Sequence, residues 1–182
     1  MFIASQKRKD NIAEYILYLW QIEDLVRANN LDIEAIKRNI IDPYHLEPAQ
    51  KEELTQWYES LIEMMRREGV EQRGHLQINR NILADLVQLH QRLLADPEFP
   101  KYTALFYKTL PYIVELRSKA GNEKTGEIET CFNALYGMML LRLQKKEIAP
   151  ATLEAVKQIG AFIATLARYY HLDEQEPLTK EP

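Results

Sequence analysis

The sequence predicts an all-α protein, a single-domain helical bundle of six or seven helices. Three observations carry this. Apolar residues recur every three or four positions over long windows between Asp10 and Tyr170, which is the helical period. The Val/Ile/Thr alternation that marks strands is absent. Glycines number only six.

The first helix is expected over Asp10–Ala28, where Ile12, Tyr15, Ile16, Leu19, Trp20 and Val26 share a face. Leu17, Tyr18 and Leu25 widen that face, as in a central helix. Asp32 is a good N-cap for a short second helix carrying Ile33, Ile36 and Ile40 inward. Pro43 and Pro48 bound the loop that follows. The third helix spans Ala49–Glu68 on a stripe from Leu54 to Met65, and Gly69 stops it. The fourth spans Asn79–Ala95, with Ile82, Leu86, Leu89 and Leu93 inward, and Asp96-Pro97 ends it.

The fifth helix covers Pro100–Ala120, and Pro111 inside it should kink or split it. The sixth covers Gly126–Lys146 with Thr125 as its cap, and the seventh Pro150–Tyr170. In the seventh, Gly160, Ala164 and Ala167 are small enough for a neighbouring helix to approach closely. The pattern stops after His171. Residues 1–172 therefore read as the bundle, and 173–182 as a disordered acidic tail.

Composition narrows the classes of function. With 46% hydrophobic and 27% charged residues the chain reads as globular. One cysteine, Cys131, allows no intrachain disulfide, which suits a reducing, cytoplasmic setting. At the N-terminus the charges of Lys7-Arg8-Lys9 follow a short apolar patch, so no secretory signal is expected. The longest run without a charged residue, Thr130–Leu141, is twelve residues, against about 20 for a membrane span. Net charge is −4, and most of it sits in the tail. No basic stripe is present to bind nucleic acid.

Chemical motifs are few. Gly121-Asn-Glu-Lys-Thr-Gly126 has the glycine spacing of a phosphate loop, but Glu127-Ile128 stands where Lys-Ser or Lys-Thr is required, so it reads as a turn. Di-iron bundles use repeated Glu-x-x-His, and none of His45, His75, His90 or His171 has a glutamate three residues earlier. Neither a metal nor a cofactor is expected. Cys131 shares the inward face of its helix with Phe132 and Leu135, as a core thiol does.

Three ionisable residues interrupt apolar faces. Glu23 lies between Leu19 and Val26, with Arg27 one turn on; His90 lies between Leu86 and Leu94; Arg142 lies one turn after Met138. Buried charges must be paired or neutralised. Two readings of Glu23, Arg27, His90 and Arg142 follow. They form a polar pocket in the bundle core for a small polar or anionic ligand. Alternatively they hold helix register, with Glu23 paired to Arg27 or Arg142, and His90 satisfied by a carbonyl or tyrosine. Arg142 can also snorkel outward.

Five segments mix polar and core residues in a specific way: Asn11-Ile-Ala-Glu-Tyr15, Trp20-Gln-Ile-Glu-Asp24, Met65-Arg-Arg-Glu-Gly69, Lys108-Thr-Leu-Pro-Tyr112 and Glu129-Thr-Cys-Phe-Asn133. On these segments the chain resembles a bacterial all-helical family known only as a domain of unknown function. The resemblance covers nearly everything but the tail and implies no site. The functional expectation is a non-catalytic protein-interaction or scaffold module. Ten tyrosines and two tryptophans suggest a homodimer. A small-ligand binder is the alternative.

Overall fold

The computed structural model describes residues 2–121 and 124–182, the side chains of residues 2 and 3 apart. Among the described residues the chain forms eight α-helices and no strand. They are α1 (Phe2–Asp10), α2 (Ile12–Ala28), α3 (Ile33–Ile36), α4 (Pro48–Arg67), α5 (Gln77–Ala95), α6 (Pro100–Lys119), α7 (Glu127–Leu143) and α8 (Pro150–Gln175). A π-helical turn, Lys37–Ile41, continues α3. None of these helices is long and apolar enough to cross a membrane. The helices group into two compact units. Unit 1 comprises residues 1–10 and 14–82, and unit 2 comprises residues 11–13 and 83–182.

In unit 1, the helix that the periodicity does not reveal is α1. It is short and ends in Lys7-Arg8-Lys9, cations that suit a helix C-terminus. The expected start at Asp10 is corrected by one local bond: Asn11 Oδ1 accepts from the Ala13 N–H at 3.0 Å and begins α2. Asp32 caps α3 as expected, its Oδ1 accepting from the Glu34 N–H at 2.9 Å. Pro48 opens α4, and Gln50 Oε1 accepts from the Glu47 N–H at 3.1 Å. Gly69 closes α4 at φ +67°, which a residue with a Cβ adopts at a cost. The core of unit 1 joins Ile22 and Val26 of α2, Ile36 and Ile41, Tyr58, Leu61, Ile62 and Met65 of α4, and Val70 and Leu76 of the connection to α5. Burying each such side chain contributes about 1.5–3 kcal/mol before entropy is counted.

In unit 2, α6, α7 and α8 pack on one another. Phe99, Tyr102, Phe106, Phe132, Phe162 and Leu166 are buried there. Gly160 meets α7 closely, since a Cβ on it would lie 3.8 Å from Leu135 Cδ2. Ala164 faces solvent instead, while Ala167 is buried. The helix α6 runs unbroken through Pro111. Pro111 is exposed, and so is Tyr107, whose carbonyl loses its helical partner. Water can serve that carbonyl, so the helix tolerates the proline. Gly126, not Thr125, is the N-cap of α7.

The tail also departs from expectation. Helix α8 continues to Gln175, and the Leu178 N–H donates to Asp173 Oδ1 at 2.9 Å. The Glu181 N–H donates to the Glu98 carbonyl at 3.1 Å, and Glu181 Oε1 accepts from the Tyr102 N–H at 2.9 Å. The first turn of α6 has N–H groups without helical partners, and a carboxylate is what that end of a helix attracts. The acidity that suggested disorder is what docks the tail.

Candidate functional site

Helix α2 carries Glu23 into unit 1, where the residue is 2% exposed. Its carboxylate collects three donors from the segment that opens α5. Oε1 accepts from the Leu76 N–H at 2.9 Å and from Asn79 Nδ2 at 2.6 Å. Oε2 lies 2.6 Å from His75 Nδ1, which carries a proton when it faces a carboxylate. Glu23 thereby caps α5 from another helix and places its charge at the positive end of that helix. His75 is held in turn, stacked on Trp20 with ring centroids 4.0 Å apart and planes 11° from parallel.

The expected pairing of Glu23 with an arginine is thus corrected. Arg27 donates to Asp24 at 2.8 Å, to the Val70 carbonyl at 3.0 Å, and to the Gly74 carbonyl. It clasps the 70–74 connection, and that connection delivers His75 and Leu76 to Glu23. The guanidinium satisfies loop carbonyls, leaving the carboxylate to the loop's own donors.

Beside this node opens a cleft of about 550 Å³. Leu19, Ile22, Leu61, Met64, Met65 and Trp57 form much of its wall, and Glu23, Asn79 and Tyr15 bring buried polar groups to it. Ser5 and Arg8 of α1 and Glu53, Gln56 and Ser60 of α4 also line it; all five are exposed. Asn79 is 1% exposed, and its Oδ1 has no hydrogen-bond partner among the described residues. The amide orientation is fixed by Glu23, because the flipped amide would set oxygen against a carboxylate.

His90 and Arg142 belong to unit 2 and take no part in this node. His90 Nδ1 lies 2.7 Å from the Tyr102 hydroxyl, and the rings of Phe106 and Phe162 lie 4.8 and 5.7 Å away. Burial lowers the His90 pKa to about 4, against the opposing pull of the Glu127 charge. Arg142 is exposed in the last turn of α7. The Cys131 thiol is fully buried, and burial raises its pKa far above the thiol range, as does the Glu127 charge. A thiol held protonated in this way is not a nucleophile.

The expected four-residue set therefore separates. Glu23 keeps its place, Arg27 acts on a loop, His90 sits among aromatic rings, and Arg142 faces water. Sequence reasoning missed His75 and Asn79. The one available signal was a run of polar residues, Gly74-His75 and Asn79, flanking an isolated Leu76 where a helix begins. No group of three or more His, Cys, Asp or Glu side chains among the described residues could hold a metal ion. The 121–126 turn falls partly outside the described residues, at 122 and 123.

The model of one family, Domain of unknown function (DUF4924), matches residues 1–177, and the chain belongs to that family. No curated protein and no solved structure matches it.

Proposed function

We propose that this member of the DUF4924 family is a non-catalytic small-molecule-binding protein whose site is the unit 1 cleft. One observation carries the reading: a largely apolar cleft of about 550 Å³ holds, at a buried point of its wall, a polar node with hydrogen-bonding capacity left over. Pockets that bind small molecules combine an apolar lining with a few convergent polar groups. A node built only for stability would use its acceptors up. A cytoplasmic, bacterial setting belongs to the same proposal, supported by the lone reduced thiol and by the sequence resemblance.

The test is to purify the protein from its own cell without denaturant, unfold it, and weigh what is released. A compound near one per chain is expected, and it should be missing from Ser60→Trp, which fills the cleft from an exposed position. Release of the same compound from both proteins rejects the assignment.

A second reading rests on a separate observation. Tyr107 and Val114 of α6 are 62% and 52% exposed, and Pro111 between them is exposed on the same face. Such a stripe favours a protein contact, with a second copy of the chain as partner. Light scattering at micromolar concentration should give twice 21.4 kDa, and Tyr107→Asp should return it to 21.4 kDa. A wild-type mass of one chain removes this reading.

A further inference from the structure

We infer that the unit 1 cleft selects ligands with an apolar body and a protonated amine, and this inference rests on the binding function proposed above. The argument counts lone pairs. A carboxylate offers about four acceptor sites, and Glu23 uses three of them on Leu76, Asn79 and His75. The remaining site is on Oε2. Asn79 Oδ1 adds a second acceptor without a partner, on the same amide whose Nδ2 is 2.6 Å from Glu23. Both are acceptors on residues that line the cleft, beside the charge of Glu23.

The donors of the node already serve Glu23. His75 Nδ1–H, the Leu76 N–H and Asn79 Nδ2 all point at Glu23. At the node an anionic ligand would meet a carboxylate and an amide oxygen. An alcohol brings one donor for two acceptors. An ammonium group brings three donors and the charge that complements Glu23. The rest of the lining, from Leu19 and Ile22 to Leu61 and Met64, asks for a hydrocarbon or aromatic body. The cation nearest the cleft in the chain itself, Arg8, lies on an exposed position of α1. The small polar or anionic ligand expected from sequence gives way here to an apolar cation.

The test uses three probes of one shape on the full chain: phenethylammonium, 2-phenylethanol and 3-phenylpropanoate, followed by titration calorimetry at neutral pH. Phenethylammonium should saturate and bind at least about tenfold tighter than either of the others, the discrimination expected of a charge-assisted hydrogen bond over a neutral one. Glu23→Gln should weaken the ammonium probe by about the same factor and so narrow its lead over 2-phenylethanol. Ser60→Trp should abolish both. The comparison among probes on the unmodified chain stands even if Glu23→Gln unfolds. Equal binding of all three, or a preference for the carboxylate, overturns the amine assignment while the cleft remains a binding site. Saturable binding of none of the three overturns the proposed function itself. Binding that survives Ser60→Trp places the probe elsewhere and overturns the inference.

Discussion

Glu23 in unit 1 and His90 in unit 2 are each buried in an apolar helix face, and the two units solve the problem in opposite ways. Glu23 is surrounded by donors: two side chains and one backbone N–H converge on it, and it lies beside a cleft. His90 is given one hydroxyl and aromatic rings, and burial holds it neutral. From sequence the two look alike, each a polar residue one turn from leucine or valine. What separates them is spare hydrogen-bonding capacity next to open volume. Burial of a polar group marks a structural constraint, and an unused acceptor on a cleft wall marks a place for a ligand.

The sharpest way to break this comparison is to remove the centre of the unit 1 node. Glu23→Ala strands His75, Asn79 and the Leu76 N–H, and should cost about 3–5 kcal/mol in a urea titration. Glu14→Ala on the same helix removes an exposed ion pair with Lys7, worth about 0–1 kcal/mol. Equal losses would mean that Glu23 is solvated, and the contrast between units would disappear.

The next effect belongs to unit 2 and to pH. Burial holds the His90 pKa near 4 instead of 6.5, so the folded state binds its proton more weakly than the unfolded state does. Stability from neutral His90 is complete above about pH 6.5. It is lost as pH falls from there towards 4, by about 3 kcal/mol in total. The Glu127 carboxyl is shifted downward. Burial works to raise its pKa, but bonds from its own backbone and from Arg117 hold it below the usual range. Urea midpoints at stepped pH should show the loss in wild type and a flattened slope in His90→Gln. A wild-type slope that is already flat would show that His90 is not buried neutral.

Smaller effects follow. Tyr102→Phe deletes the hydroxyl that His90 holds and should cost about 1–2 kcal/mol by thermal melting, without altering probe binding in the unit 1 cleft. Glu181→Ala removes the carboxylate at the start of α6 and should cost about 0.5–1 kcal/mol. No change in melting temperature would restore the reading of the tail as disordered.

Much of this fold is written locally, and those parts were legible. Asp32 caps α3, Gly69 ends α4, and Pro100 and Pro150 open α6 and α8, each through a neighbour a few residues away. The burial of Glu23 was legible because it breaks a stripe whose period is fixed. Its partners were not: His75 and Asn79 lie 52 and 56 residues further on. The connection that carries His75 has no period to read. Helix α1 was missed because nine residues with three cations at the end offer no clear face. The contact between Glu181 and the start of α6 was not legible because the two lie 79 residues apart.

The sealed thiol of unit 2 has a practical consequence. Cys131 is the chain's only cysteine and is 0% exposed. A thiol reagent in solution reaches it only when the packing around α7 parts, so the labelling rate is a clock for the opening of that unit. Nothing in unit 1 can contribute to the signal. Run across the His90 titration, the same clock would ask whether protonating one imidazole loosens the unit that holds it.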